Sequence, residues 1–567
     1  MKSFFRLALF FASAAFLFSS CSKKNEVGKM IPKNAMFVME LNTKSLREKI
    51  TWDDIKQTSW FREAYSDSST KDWTKKLLDN PENSGIDLNG SLIFFVSKNS
   101  ATEGDIVLEG TIKSESDFGD FNKNLDSSAT IKKDGDLNML FLKDETVVAW
   151  NDKHFVYAFD AGQAMKFNPM NNSSFNQSNV APLVDKSVTL AAVCKSVFSL
   201  KSDSSLAGSD KFTNLLKEKG DMRAWINTEE IMKSSSSLGM LGMLKLDVFF
   251  KDNISTYTVN FDNGKIDVSQ KGYAGKEFSD FLQKYSGSGI NTDMIKTIPS
   301  QNIFGVFALN FKPEGIKELI KLTGMDGMLN SQTSQLGFNL DDFVKANKGD
   351  ITLAISDVTM PNISQGGGNS NMSMSYKPDF NILFSASIGD KQSFQKLMEA
   401  GKKIGGQMGT NSDTGIAYGQ NDKLFAITNH QHFLNDYLAG NANNKFDFLD
   451  KINGHPFGLY IDLHKILTLA DAAKSQVHDE DKTIMDASLK LWNNIFMTAG
   501  DFKDGAMTGN TEINFIDQST NSLKQLNNYF DVIATAEKAK KAEQAPDMNT
   551  MDSTMMVPPP IDTVGHK

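Results

Sequence analysis

One apolar motif occurs twice in this chain. Ile31-Pro32-Lys33-Asn34 leads into Met36-Phe37-Val38-Met39-Glu40-Leu41-Asn42, and Ile298-Pro299-Ser300-Gln301-Asn302 leads into Ile303-Phe304-Gly305-Val306-Phe307-Ala308-Leu309-Asn310, an offset of 268 residues from Asn42 to Asn310. At nearly the same offset, Asn151-Asp152-Lys153-His154-Phe155 matches Asn421-Asp422-Lys423-Leu424-Phe425, each a turn dipeptide opening an apolar run. Between them, Ile106 to Ile112 followed by Ser114 to Phe118 corresponds to Phe380 to Ile388 followed by Gly389 to Phe394. A tandem duplication accounts for all three matches and restricts the chain to architectures that can be built twice.

A smaller module recurs inside each copy, an apolar strand ending in Asn or Asp where an amphipathic helix begins. Asn42, Asn227, Asn310 and Asp462 hold this position and are expected to be N-caps, their side-chain oxygens accepting from the first free helix amides. Ser255 to Phe261, Asp262-Asn263-Gly264 and Lys265 to Ser269 read as a hairpin, with Ala506 to Phe515 as its counterpart. Hairpins imply antiparallel sheets. The expected fold is therefore α+β, two tandem homologous lobes of mainly antiparallel sheet with helices packed on one face.

At 567 residues the chain also exceeds what one core usually supports. The expected division is a leader over 1–20, a tether over 21–30, a first repeat over 31–290, a linker over 291–297, a second repeat over 298–540 and a disordered Met/Pro-rich tail over 541–567. Residues 361–377, with Gly366-Gly367-Gly368, read as an insertion in a strand connection.

Lys2 and Arg6 flank the start of the uncharged run Leu7 to Phe18, which has the length of a signal-peptide core and is too short to span a bilayer. Leu17-Phe18-Ser19-Ser20-Cys21 then sets small residues before a cysteine, as bacterial lipoprotein processing requires, with Leu17 one position earlier than the usual pattern. Cys21 is the expected lipidation site. Removing the leader leaves 58 basic against 69 acidic side chains, a net charge of -11. Such a surface argues against nucleic acid and offers no polybasic assistance, so membrane attachment would come from the acyl anchor alone. The other cysteine, Cys194, is read as a small buried hydrophobe on a strand, Val188 to Cys194, rather than as a nucleophile.

The short motifs of phosphate, acyl and metal chemistry do not occur in the sequence. His430-Gln431-His432 could place two imidazoles on one side of a strand, with His455, His464 and His478 following within fifty residues. Exposed turn positions explain them equally well. No catalytic residue, metal ligand or cofactor is expected. The Gly/Met segments Leu238 to Leu244 and Gly324 to Leu329 suggest an adaptable apolar surface.

The cysteine at 21, the Ile31-Pro32-Lys33-Asn34-Ala35 opening, Thr51 to Phe61 and Asn80 to Leu88 together resemble an uncharacterised Bacteroidetes lipoprotein family, domain of unknown function 4836. The resemblance implies a cell-envelope lipoprotein and brings no ligand residues. Trp52, Trp60 and Phe61 are read as core at helical spacing. In such bacteria, exported lipoproteins tend to carry acidic residues after the cysteine, so Ser22-Lys23-Lys24-Asn25-Glu26 points to the outer membrane's periplasmic side. The leading expectation is a non-catalytic binding or scaffolding protein with an envelope protein or glycan partner. A carrier of a lipid or other apolar ligand is the alternative, and a hydrolase with a dispersed site the third.

Overall fold

The computed structural model describes residues 27–543, apart from 69, 71, 99–103, 143–145, 161–185, 235–245, 360–377, 408–414 and 473–478. Cys21, His478, Leu238 to Leu244, the insertion and the tail from 544 lie outside the described residues.

Apolar runs, alternating in some strands and continuous in others such as β6, form most of the strands. The strands are β1 (Phe37–Asn42), β2 (Ser91–Lys98), β3 (Gly104–Thr111), β4 (Lys132–Asp134), β5 (Leu137–Leu142), β6 (Thr146–Trp150), β7 (His154–Asp160), β8 (Met222–Asn227) and β9 (Ile254–Asp262). The rest are β10 (Lys265–Tyr273), β11 (Ile303–Asn310), β12 (Asn347–Thr359), β13 (Asp379–Ile388), β14 (Ala417–Gln420), β15 (Leu424–Thr428), β16 (Phe457–Asp462), β17 (Trp492–Lys503) and β18 (Ala506–Phe515). All eighteen belong to one antiparallel sheet, and with the helices around it the fold is α+β.

The strand pairings run β4-β5-β6-β7-β3-β2-β1-β8-β9-β10 and then β18-β17-β16-β11-β12-β13-β15-β14. From β6 onwards, the order in the first half is repeated in mirror sequence by the second. The halves meet where β10 pairs antiparallel with its own counterpart β18. Ser269 and Asn510, each the fifth residue after its hairpin turn, stand opposite one another, so an approximate two-fold axis passes between them. At the second hairpin, Asp504 and Gly505 both take positive φ, as a two-residue turn of this kind requires.

The halves also exchange their last helices. Ser522–Glu543 of the second half packs on Ser59–Ser66 of the first, where Asp531 accepts from the Ser59 amide at 2.7 Å and Lys538 pairs with Glu63 at 2.9 Å. Reciprocally, Lys276–Tyr285 packs on Pro313–Leu322, so closely that a Cβ on Gly315 would lie 2.9 Å from the Tyr285 Cβ. One ladder and two exchanged helices join the halves.

Helices cover both faces of the sheet in the first half, not one, because its strands are apolar on both sides. Val107, Val147 and Val156 share a core with Ser187–Phe198, while their neighbours Leu108, Val148 and Phe155 share another with Phe118. Cys194 is buried as expected, but on that helix and not on a strand. Leu190, Ala191, Val193, Cys194 and Val197 follow the helical period, which overrides the β-branched start of the segment. Burial pushes its thiol up to about 12. Trp52 and Phe61 are core residues too, on two short helices, and their rings meet edge to face.

A single register row crosses the whole sheet on the face of the first core. Outward from Ser269 it reads Thr258, Arg223, Glu40, Ile93, Glu109 and Val156; outward from Asn510 it reads Thr498, Gly458, Ala308, Thr352, Ser385 and Ala426. Equivalent positions are charged in one half and small in the other. Arg223 and Glu40 form a buried ion pair at 2.6 Å, completed by the Ser91 hydroxyl on Glu40 and by Arg223 Nε donating to the Glu218 carbonyl. Glu109 has no such partner at Oε2, and burial raises its carboxyl to about 8.

Two outcomes are expected. Asp531→Ala removes the acceptor for the first amides of Ser59–Ser66 and should cost about 1–2 kcal/mol, seen in calorimetry as one shifted transition. Two separated transitions would show that the halves unfold independently. Because the unfolded Glu109 ionises near its ordinary value while the folded one stays protonated to about 8, stability should fall as pH rises through that window and level off above it. The loss is on the order of 5 kcal/mol, and Glu109→Gln should flatten this slope in urea titrations across pH.

Candidate functional site

The four expected caps do not all behave alike. Asn42, Asn227 and Asp462 accept from Ser45, Glu230 and Lys465 amides, each at the start of a helix that follows directly. Asn310 does not cap. Phe311 and Lys312 intervene before Pro313, whose fixed φ and missing amide place it at the first helical position, so the helix starts too far away. The released side chain turns to other partners.

Asn310 accepts from the Ser288 amide at 2.8 Å and donates to Asp350 Oδ1 at 2.8 Å. Asn291 donates to the other oxygen of Asp350 at 3.4 Å, and the Asp350 amide donates to the Ser387 hydroxyl at 3.1 Å. These residues hold the floor of a cleft of about 800 Å³ at one end of the second half. One wall is the short helix Thr292–Lys296, with Asp293 exposed and Met294 and Ile295 buried. The other is the Asn421-Asp422-Lys423 turn with the end of the helix Gln431–Ala439.

That turn is rigid for a local reason. The Asn421 side chain accepts from the amides of Lys423 and Leu424 at 2.9 and 2.8 Å and donates to the Leu438 carbonyl at 2.8 Å. Asn151 makes the same two contacts with Lys153 and His154 in the first half, the structural form of the repeated Asn-Asp-Lys motif. Asp422 extends into solvent and pairs with Lys391 at 2.6 Å, whose hydrogen bond lowers the Asp422 carboxyl below its ordinary range. Behind the turn lies a second, smaller cavity of about 260 Å³ that Asn421 and Asp422 share. Tyr437 closes the cleft from beneath, donating to the Met294 carbonyl at 3.2 Å, and burial raises its phenol.

Chemically the cleft is lined by carboxylates, amides, the hydroxyl-bearing Thr297, Ser387 and Tyr437, and Lys348 and Lys423. Each carboxylate oxygen has two acceptor positions, so Asp350 keeps acceptor capacity beyond its two asparagines. The equivalent positions in the first half do other work: Ser91 donates to Glu40 and Asn42 caps its helix.

The histidines do not converge. His430 is the N-cap residue of Gln431–Ala439 and His432 lies in that helix's first turn, 88% exposed and paired with Asp436, rather than side by side on a strand. His455 pairs with Asp501 at a different site, and His464 lies on the helix Leu463–Ala472 with Nδ1 buried and unpartnered. Among the described residues no group of three or more His, Cys, Asp or Glu could hold a metal ion. Nor is any described helix long and apolar enough to cross a membrane.

The cleft residues Asn291, Asp293, Asp350 and Ser387 were not marked by any motif. The one signal was the displaced Pro313, which distinguishes the Asn310 module from the other three.

No curated protein and no solved structure matches the chain. The family model for a domain of unknown function, DUF4836, matches residues 28–367, the whole first half and the second as far as the segment after β12. The chain belongs to the DUF4836 family.

Proposed function

We propose that this is a non-catalytic binding protein of the cell envelope, lipid-anchored through Cys21 on the periplasmic side of the outer membrane, whose cleft takes a hydroxyl-rich ligand such as a glycan. The observation that carries this reading is Asp350, oriented by Asn310 and Asn291 at the floor of a roomy cleft. Carboxylate and amide groups fixed in advance suit sugar hydroxyls, which both donate and accept, and fixing them beforehand lowers the entropy lost on binding.

Leu353 and Ile355 of β12 are 37% and 38% exposed on the opposite face of the sheet, and they favour the second reading, a surface for an apolar ligand. Native mass spectrometry of the leaderless protein would detect a bound lipid under that reading and none under the first.

Asp293 and Asp422 test the glycan reading with little risk to folding, since their side chains are 86% and 88% exposed. Asp293→Ala and Asp422→Ala should each weaken binding of an envelope saccharide about tenfold, the worth of roughly one charged hydrogen bond, with an unchanged melting midpoint. Failure of a saccharide panel to bind, or affinities indifferent to both substitutions, would remove the cleft from consideration. Separately, Cys21→Ser should move the protein from the membrane fraction to the soluble one and abolish acylation in mass spectra.

A further inference from the structure

The two halves close their outer edges differently. In the first, β5 pairs antiparallel with β6, setting Leu140 opposite Val148 and Phe141 opposite Val147, and β4 covers β5 in turn. The counterpart of β6 is β14, because Trp150 and Gln420 both precede the matched Asn-Asp-Lys turn and pair with Phe155 and Phe425. Among the described residues, β14 pairs only with β15. The cause is chain length. The first half spends residues 126–145 between the helix Glu115–Leu125 and β6, enough for the β4–β5 hairpin, whereas only 408–416 separate Lys391–Gln407 from β14.

The exposed positions are those that the extra strand protects elsewhere. Val148, opposite Leu140 of β5 and in the core with Phe118, is 0% exposed, and its equivalent Tyr418 is 54% exposed, with Ile416 at 60%. Backbone polarity agrees. The Asn421 amide donates to the Leu424 carbonyl, so by antiparallel alternation the amides and carbonyls of Gln420 and Tyr418 point away from β15. Unpaired edges of this kind are templates for a further strand. On one side the seat is bounded by Leu434 and Leu438, which approach Gly419 to within 3.4 and 3.1 Å of where a Cβ would stand.

From this we infer that the outer edge of β14 docks an extended segment of a partner protein, added antiparallel where the first half carries β5. The segment that fits is uncharged and apolar on both faces, as Leu137–Leu142 is, with one row against Leu434 and Leu438 and the other beside Tyr418. The seat shares Leu438 with the wall of the cleft but needs no ligand there, so the inference survives loss of the glycan reading.

The probe is a synthetic peptide of residues Leu137 to Leu142 added to the mature full chain. The Tyr418 and Gln420 amides should exchange rapidly with deuterium in the free chain and slow at least tenfold at saturating peptide. Tyr418→Pro removes an outward donor and is tolerated on an edge strand, so it should weaken peptide binding about tenfold. Unchanged exchange at Leu424 to Thr428 in that variant would show that the β14–β15 ladder persists. Protection of Tyr418 and Gln420 in the free chain, or peptide binding indifferent to Tyr418→Pro, would overturn the proposal. A dimer in sedimentation that Tyr418→Pro dissolves would overturn it too, assigning the edge to a second copy of this chain.

Discussion

The ladder between β10 and β18 is the contact on which the rest of the molecule depends. Each duplicated half ends in a hairpin whose last strand would be an open edge by itself, and pairing that edge with its own equivalent removes both liabilities at once. The eight residue pairs of that ladder then bring each half's final helix within reach of the other's first helices. Without the ladder, Asp531 could not meet Ser59, nor Tyr285 the close face of Gly315. Continuity of backbone pairing, rather than a separate interface, unites the copies.

The repeated strand order provides two equivalent surfaces, and small local differences make them unlike. Two residues inserted before Pro313 free Asn310 from capping and let it orient Asp350, while Asn42 at the matching position remains a cap. A shorter connection before β14 leaves an edge that β5 covers in the other half. Along the transverse row, Glu40, Arg223 and Glu109 stand where the second half has Ala308, Gly458 and Ser385. The small set leaves room for Tyr437 and Phe433 to pack over the sheet, whereas in the charged set Arg223 and Glu40 satisfy one another and Glu109 keeps an unpartnered oxygen.

Much of the architecture could be read from the repeats, because a turn such as Asn421-Asp422-Lys423 is a local structure: its side chain bonds its own amides, so the motif and the geometry travel together. The hairpin at Asn263-Gly264 was legible for the same reason, whereas its counterpart, expected at Ala506 to Phe515, turns just before that segment at Asp504-Gly505 and leaves it as the single strand β18. Ser187–Phe198 was misread as a strand because its first residues are β-branched, and only the spacing of its buried positions, a tertiary property, identifies the helix. The cleft was invisible in advance since Asn291, Asp350 and Asn421 are far apart in sequence and none is an unusual residue type. Asn421 was legible as a turn residue, but its place in a cleft with Asn291 and Asp350 follows only from the sheet that brings them together.

The junction itself shows how two copies can be similar enough to pair and different enough to pair correctly. Counted from their turns, Lys271 and Glu512 are equivalent, and each joins an ion pair within its own half, Lys271 with Glu218 and Glu512 with Lys451. The sign of the charge is reversed across the axis. Burial opposes ionisation of Glu512, yet hydrogen bonds from Lys265, Lys451 and Asn514 outweigh it and hold the carboxyl down at about 2. Lys265 comes from the other half, across the ladder, at 2.8 Å. A β18 strand paired with a second β18 in the same register would instead set Glu512 opposite Thr508, giving up that cation while keeping the burial. The half-buried carboxylate therefore favours the union of unlike halves over the pairing of like ones, a use of ionic contacts for register and partner choice rather than for gross stability.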